Sequence, residues 1–350
     1  MNRFCITLLV TALSCSFATA VQASKGRIGI AFPTQNEPAW YAAGPALEKE
    51  LRSRGYETVL YYGGDNDIPI QQAQIPRMMN EDHVNAMIIA PIDANSLLEQ
   101  MEPVSKAGIP VLSFDRLIMY TESVKYYVGF DNVNVGKLQG EAMVRALKLD
   151  ERDADNPAYI ELLSGDHKDR SAEKAFNGFL SVILPYIDDG RVVVPSDQFF
   201  FAMCTVEQGN DQNAMKRMDS LIADKGYGPK GARLDAVYCA TDSVADGVLM
   251  SLKNAGYTVE NMPYLTGRDA TESAIKGILT GERGSTIYRD PNVLNDSAVK
   301  IIDAMLNNQE PEVNDTTSYN NGYADMKSLL SEPVLLDKSN VRKYFPDVEI

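Results

Sequence analysis

From Arg27 onward the chain alternates short apolar segments of strand type with amphipathic segments of helix type. After the first strand-type segment, apolar residues recur three or four positions apart, as in one face of a helix: Trp40, Ala43, Leu47 and Leu51. Segment 86–90 is apolar at every position, as expected for a strand that helices cover on both faces. This alternation predicts an α/β fold built on parallel sheets.

The chain is long enough for more than one core. It has 350 residues, 45% of them hydrophobic, and two domains are the natural expectation for that length. The alternation of strand and helix restarts after Asn132, and no flexible linker or low-complexity tract separates the two halves. Two α/β domains without a linker predict that the chain crosses between them several times.

The N-terminus has the features of a secretory signal. Met1-Asn2-Arg3 is basic, an apolar run covers residues 4–12, and two small-x-small cleavage sites follow at 18–20 and 21–23. We therefore expect a signal peptide over residues 1–23, cleaved near Ala23, because the apolar run is too short for a lasting transmembrane helix. The mature protein is expected to be exported and soluble.

Charge and residue usage exclude several classes of function. The formal net charge of −15 argues against a nucleic-acid partner, since such a chain would release few counterions from phosphate. His83 and His167 lie far apart and no Cys/His cluster has metal spacing. No Gly-rich phosphate loop or G-x-S-x-G motif follows a strand. We expect no metal, no cofactor and no enzymatic activity.

Two cysteines remain after the predicted cleavage, Cys204 and Cys239. In an oxidising compartment the pair can form one disulfide. Two separate buried thiols are an equally good interpretation, because cysteine is among the most buried residue types. The sequence leaves both alternatives open.

Residues 109–132 contain two strand-type segments, and a carboxylate stops each of them. Asp115-Arg116 ends the first and Asp131-Asn132 ends the second. Ligands of open α/β sheets bind beyond the carboxyl ends of the strands, so these residues predict a polar cleft. The alternative is that Asp115 and Asp131 only cap strands or begin helices. Two such ends in one stretch, with Arg116 beside the first, favour a site.

Later strand ends carry the same mixture of acids and arginines. They are Thr241-Asp242, Gly267-Arg268-Asp269 and Arg289-Asp290. Carboxylates accept hydrogen bonds and guanidinium groups donate them, so together they suit the binding of a polyol rather than bond cleavage. From the residues alone, Asp242 is better explained as a helix cap, and Asp269 with Glu272 as a capping box. Asp290 before Pro291 predicts an N-cap.

The sequence resembles the periplasmic pentose- and hexose-binding proteins of ABC importers, in particular their xylose-binding and multiple-monosaccharide-binding branch. The markers keep their order over roughly 300 residues, which makes the resemblance specific. They are I-G-I-A at 28–31, Trp40, G-Y at 55–56, D-I-P at 67–69, I-P-V-L at 109–112, F-D-R at 114–116, F-D-N at 130–132, L-P-Y-I-D at 184–188, E-P-E-V-N-D-T at 310–316 and N-N-G at 320–322.

The resemblance implies the type I periplasmic binding protein fold. Two Rossmann-like domains with parallel sheets would be joined by a three-crossover hinge and would close on a sugar. The N-terminal lobe would comprise residues 24–131 and 290–318, and the C-terminal lobe residues 132–289 and 319–350. The crossings would fall near Asn132, Asp290 and Tyr319–Gly322.

The resemblance also implies a set of ligand-binding residues. They are Trp40, Asp115, Arg116, Asp131, Asn132, Asp242, Asp269, and Arg289 where the family has lysine. The chain departs from the family at four places: Ala39 replaces an arginine, Arg170 follows Asp169 where the family has asparagine, Arg268 replaces glutamine, and a second stacking tryptophan is missing near Gly209. These departures add Arg170 and Arg268 to the candidate site.

The implied function is a periplasmic solute-binding protein that delivers a monosaccharide to an ABC permease and its ATPase, most simply as a monomer. The alternative is a sensor that docks on a chemoreceptor or a histidine kinase. The added arginines raise the hypothesis of a sugar-acid ligand, because the guanidinium fork matches a carboxylate. The opposing interpretation, which we favour, is that Arg268 pairs with Asp269, Arg170 takes over from the residue missing at Ala39, and the sugar is neutral.

Overall fold

The computed structural model describes residues 24–36 and 38–349. Residues 1–23, the predicted signal peptide, lie outside the described residues. The strands are β1 (Arg27–Phe32), β2 (Glu57–Tyr62), β3 (Ala86–Ile89), β4 (Val111–Phe114), β5 (Val124–Phe130), β6 (Ala158–Leu163), β7 (Val192–Val193), β8 (Ala236–Cys239), β9 (Tyr264–Leu265), β10 (Ser285–Tyr288), β11 (Lys327–Ser331) and β12 (Val334–Asp337). The helices are α1 (Pro38–Ser53), α2 (Ile68–Asn80), α3 (Leu98–Lys106), α4 (Asn132–Leu147), α5 (Arg170–Asp188), α6 (Phe201–Cys204), α7 (Asp211–Lys225), α8 (Asp242–Asn254), α9 (Glu272–Thr280), α10 (Pro291–Leu306) and α11 (Val341–Tyr344).

The first sheet has the strand order β11-β5-β4-β3-β1-β2, and every pairing in it is parallel. Successive side chains of a strand point to opposite faces, and both faces are buried. Ile28 and Ile30 of β1 join the core beneath α1 and α10, whereas Ala31 joins the core beneath α2 and α3. The all-apolar segments predicted as doubly covered strands are confirmed.

The second sheet has the order β7-β6-β8-β9, also parallel. Its neighbouring residues Leu162 and Leu163 bury in different cores, the first with residues of α4 and α5 and the second with residues of α7 and α8. β10 and β12 form a separate antiparallel pair. The carboxyl end of β10 leads directly into Arg289, so this pair places a strand end beside the two sheets.

The chain passes between the two halves at three places. It leaves the first sheet after β5, as the packing of α4 on α5 shows. It returns after β10, as the packing of α10 on α1 shows. The sequence placed the third crossing near Tyr319–Gly322. In the structure β11 comes after that point and still pairs with β5, so residues 327–331 lie in the first sheet and the chain leaves it between β11 and β12. The short strand Lys-Ser-Leu-Leu-Ser has too weak a pattern to be assigned without its partner.

Proline and cap positions test the local predictions. Asp290 caps α10 by accepting the N–H of Asn292 at 2.9 Å, with Pro291 in the first turn, as predicted. The sequence predicts that Pro76 kinks its helix or breaks it into two pieces; the break does not occur, since α2 runs from Ile68 to Asn80 as one helix. Ile75 and Met78 beside the proline are fully buried, and that packing offsets the lost hydrogen bond.

Cys204 and Cys239 are free, buried thiols. They belong to different cores of the second sheet, and burial raises the pKa of Cys204 to about 12. Of the two alternatives the structure contains the separate thiols. In the part of the chain that the structure describes, no helix is long and apolar enough to span a bilayer, and no group of acidic, histidine and cysteine side chains is arranged to hold a metal ion.

Helices α4 and α5 approach each other through glycine. A Cβ atom on Gly136 would overlap the carbonyl oxygen of Ala175. We therefore expect Gly136→Ala to destabilise the protein by about 1–3 kcal/mol through overpacking, although alanine is intrinsically the better helix former. Urea unfolding followed by circular dichroism measures the change. Lys137→Ala at the exposed neighbouring position is the matched control, and a Gly136→Ala protein as stable as wild type would contradict the close packing.

Candidate functional site

Asp115 lies in the loop that follows β4 and has a left-handed backbone, with φ of 57°. Such a φ is uncommon outside glycine, and two hydrogen bonds hold it. The Asp115 N–H donates to the carbonyl of Val128 at 2.8 Å, and the Tyr127 hydroxyl donates to the Asp115 carbonyl at 2.8 Å. These bonds fix the position of the Asp115 carboxylate at the end of the first sheet.

Arg289 brings strand ends from both halves of the protein together. Its Nη2 donates to Oδ1 of Asp269 at 2.7 Å, and its Nη1 lies 3.7 Å from Oδ1 of Asp115. Nε of Arg268 lies 3.5 Å from the same Asp269 oxygen. The Arg289 guanidinium also lies 5.3 Å from the ring centroid of Phe130. We call Asp115, Arg268, Asp269 and Arg289 the strand-end network.

The members of the strand-end network support each other's charges. Burial disfavours the charged form of Arg289, but Asp269 and Asp115 more than compensate, so its pKa lies above the ordinary value. Burial alone would raise the pKa of Asp269, yet Arg289 and Arg268 together hold it below its usual range. At neutral pH Arg289 is therefore positively charged and Asp269 is ionised.

The network has more hydrogen-bond donors than protein acceptors. Within the described residues, Nε and Nη1 of Arg268 and Nε of Arg289 are buried without a hydrogen-bond partner, and the Arg268 side chain is only 7% exposed. Buried polar groups are normally paired. Guanidinium donors with neighbouring carboxylate acceptors can bind a ligand rich in hydroxyl and ring oxygens.

Trp40 and Arg116 form a second cluster. Trp40 is 5% exposed and packs on Phe32 and Phe114, with ring centroids 5.3 and 6.4 Å apart. The guanidinium of Arg116 lies over the indole at 5.4 Å, and its Nη1 donates to the carbonyl of Ile92 at 3.3 Å. Trp40, which the resemblance implied as a ligand-binding residue, is therefore buried in the core against Phe32 and Phe114, with the Arg116 guanidinium over its ring.

Asp131 and Asn132 lie at the first crossing. Asp131 accepts the N–H of Asn134 at 2.9 Å and caps α4, which is the structural role given above as its alternative. Asn132 is buried and its Nδ2 lies 3.5 Å from the hydroxyl of Tyr319. Its Oδ1 is another buried atom with no hydrogen-bond partner in the described chain. Asp131 therefore holds the start of α4, and Asn132 contacts the segment that precedes β11.

Arg170 is not a member of the strand-end network. It is exposed and is the first residue of α5, after the N-cap Asp169. Asp169 itself was not among the predicted ligand-binding residues. Its negative charge acts on the network, because it contributes to the raised pKa of Arg289. Its position after β6 was the available signal, since ligands bind beyond the carboxyl ends of strands.

Neither Asp242 nor Asp269 caps a helix, so the cap interpretation that the residues alone favoured is wrong for both. Thr241 caps α8 and Thr271 caps α9. Asp269 has φ of 108°, which is incompatible with the extended backbone of an N-cap. Asp242 is 0% exposed and lies beneath the network, where it accepts the N–H of Thr271 and the hydroxyl of Thr286, each at 2.8 Å.

Residues 28–310 match the family model described as a periplasmic binding protein domain. The chain belongs to this family. Its sequence is 37% identical over 328 residues to the multiple sugar-binding periplasmic receptor ChvE of Rhizobium radiobacter, covering 93% of this chain and 91% of that protein. It is 28% identical to the D-xylose-binding periplasmic protein of Escherichia coli (strain K12), covering 97% and 93%.

Solved structures agree with the family assignment. An ABC transporter solute-binding protein of Clostridium phytofermentans with bound β-D-glucose superposes with a TM-score of 0.84 at 34% identity, covering 93% of this chain and 98% of that one. The predicted resemblance and the predicted α/β, type I periplasmic binding protein fold are confirmed.

The buried carboxyl of Asp242 predicts a pH effect on stability. Burial, reinforced by Asp269, raises its pKa to about 7, although Arg283 and the bonds from Thr271 and Thr286 oppose the shift. Between pH 4 and 7 the folded protein keeps a proton that the unfolded chain has lost, so the stability due to this proton falls as pH rises through that range. Asp242→Asn should therefore gain stability relative to wild type by about 2–4 kcal/mol from pH 4 to 7.

Urea unfolding at several pH values measures this difference. Asp219→Asn, which changes an exposed aspartate of α7, is the control and should follow wild type throughout. If the stability difference between Asp242→Asn and wild type does not vary with pH, Asp242 does not hold a proton near neutrality.

Proposed function

We propose that this protein captures a monosaccharide in the cleft between its two halves and delivers it to an ABC permease with its ATPase. The observation that carries the proposal is the strand-end network, in which Arg289 joins Asp115 of the first sheet to Asp269 of the second half. A ligand bound there contacts both halves at once. Support comes from the relatives named as sugar-binding periplasmic proteins and from the glucose-bound solute-binding protein.

The charges of the network favour a neutral sugar over a sugar acid. Arg268 and Arg289 both lie against Asp269, and Arg289 also faces Asp115. A bound carboxylate would compete with these acids and leave the cleft with excess negative charge. A neutral aldose instead satisfies the unpaired donors through hydroxyl groups. Arg170, the other added arginine, is exposed outside the network.

The protein binds its ligand without chemical conversion, since its relatives are named as binding proteins and receptors. We assign it to the periplasm, on the names of those relatives and the signal-type N-terminus. A second role, as a sugar sensor that docks on a chemoreceptor or histidine kinase, is supported by the relative named a receptor.

The first test is a ligand panel read by tryptophan fluorescence. Trp40 is the only tryptophan of the sequence, so a change in its emission reports ligand binding near Arg116. We expect a neutral pentose or hexose to bind more tightly than the corresponding uronic and aldonic acids. Arg268→Gln should weaken that binding about tenfold, because it removes charge-assisted hydrogen bonds.

The matched control is Arg233→Gln, which changes a surface arginine paired with Asp235 in the same half of the protein. It should bind like wild type. Tighter binding of a sugar acid would overturn the neutral-ligand assignment. Isothermal titration repeats the panel without relying on Trp40, and a lack of binding to every aldose and sugar acid would reject the proposed function.

Closure of the two halves gives a second test. Contacts to a ligand from both sheets exist only in the closed state, so binding shifts the population toward that state. Small-angle X-ray scattering should show a smaller radius of gyration with the bound aldose than without it. A sugar that does not bind in the panel is the control. Proven binding with an unchanged radius would contradict hinge closure.

A further inference from the structure

The buried carboxylate of Asp242 ties down segment 267–271, which carries two members of the strand-end network. Asp242 accepts the N–H of Thr271 through Oδ2 at 2.8 Å, at one end of the segment. Its own N–H donates to the carbonyl of Arg268 at 2.9 Å, near the other end. Through Oδ1 it accepts the hydroxyl of Thr286 on β10 at 2.8 Å. The carboxylate thus links the Thr271 end of the segment to α8 and to Thr286 of β10, in addition to the backbone bonds that join Gly267 and Asp269 to Ile287.

The segment needs such external bonds because its backbone is strained. Asp269 and Ala270 both have positive φ, 108° and 50°, a region that non-glycine residues adopt only when the surroundings impose it. The Ala270 N–H donates to the Thr286 hydroxyl at 3.2 Å, the same hydroxyl that donates to Asp242. A Cβ atom on Gly267 would overlap Oδ1 of Asp242, so the segment lies directly on the carboxylate.

We propose that Asp242 is the positioning residue of the sugar site. It is fully buried and holds the strained segment so that Arg268 and Asp269 meet Arg289 in the geometry that binds the ligand. This inference rests on the proposed function and deepens it. The family resemblance implied that Asp242 touches the sugar. Its contacts instead place it behind Arg268 and Asp269, where it supports the segment that carries them.

The charged and titratable groups around Asp242 come from each element packed on it. They are Cys239 of β8, Asp246 of α8, Arg268 and Asp269 of the segment, and Arg283 before β10, which lies 3.7 Å from Oδ1 and also pairs with Asp246. The pKa of Cys239 is raised and that of Asp269 is lowered, so neither changes charge near pH 7. The pKa of Asp242 is raised to about 7. A protonated carboxyl has lost one acceptor, so the hold on the segment depends on pH.

The test compares three variants by isothermal titration with D-glucose and D-xylose at pH 6, 7 and 8. Asp242→Asn keeps the size of the side chain and removes its charge. Thr286→Val keeps the shape of the threonine side chain and removes the hydroxyl that contacts both Ala270 and Asp242. Glu161→Gln is the matched control, because Glu161 is also a buried carboxylate, and it accepts from Ser196 and Tyr227 rather than from the segment.

We expect wild type to bind several-fold more weakly at pH 6 than at pH 8. Asp242→Asn should bind about tenfold more weakly than wild type at pH 8 and show no change with pH, and Thr286→Val should also weaken binding. Glu161→Gln should keep the wild-type affinity and its pH profile. Affinities of Asp242→Asn within twofold of wild type, or an equal loss in Glu161→Gln, would overturn the positioning role. If wild type binds neither these sugars nor any other of the ligand panel, the proposed function fails first.

Discussion

The interaction on which the site depends is the pairing of one largely buried guanidinium, that of Arg289, with carboxylates from both halves of the protein. Arg289 is the residue at which the chain leaves β10 for the first sheet, and Asp115 and Asp269 reach it from opposite sides. A buried charge that loses one partner is strongly destabilising. The network therefore links the relative position of the two halves to the positions of Asp115, Asp269 and Arg289. Arg289 can pair with both halves because it lies where the chain crosses between them.

Much of the site was predictable because parallel strands place their carboxyl ends at one edge. Asp115, Arg268, Asp269 and Arg289 were identified from strand-end positions and the family resemblance, and the structure brings them together. The burial of Asp242 was not predictable, since it follows from bonds to residues 29 and 44 positions away in the sequence. The caps failed for a related reason. Thr241, which precedes Asp242, and Thr271, two residues after Asp269, take the capping positions. Only the tertiary contacts of the two aspartates decided this.

The two added arginines show how one sequence signal separates into different structural roles. Arg170 and Arg268 looked alike as departures from the family pattern. Arg170 begins a helix and is exposed, whereas Arg268 is buried in a strained turn against Asp269. The difference comes from backbone geometry that side-chain identity does not encode. Under the proposed function only the buried arginine bears on specificity, and its pairing with Asp269 is the reason for which we propose a neutral ligand.

A second set of contacts couples the two halves outside the strand-end network. Lys174 of α5 donates to the carbonyl of Ser318 at 2.9 Å and lies 4.5 Å from the ring centroid of Tyr319. The ring of Tyr319 packs on Tyr127 at 4.8 Å, and Tyr127 in turn holds the carbonyl of Asp115. A continuous series of contacts therefore runs from a helix of the second half to the turn that sets the Asp115 carboxylate. Separation of the two halves would break the first of these contacts, so the proposed closure and the geometry of the strand-end network depend on the same packing.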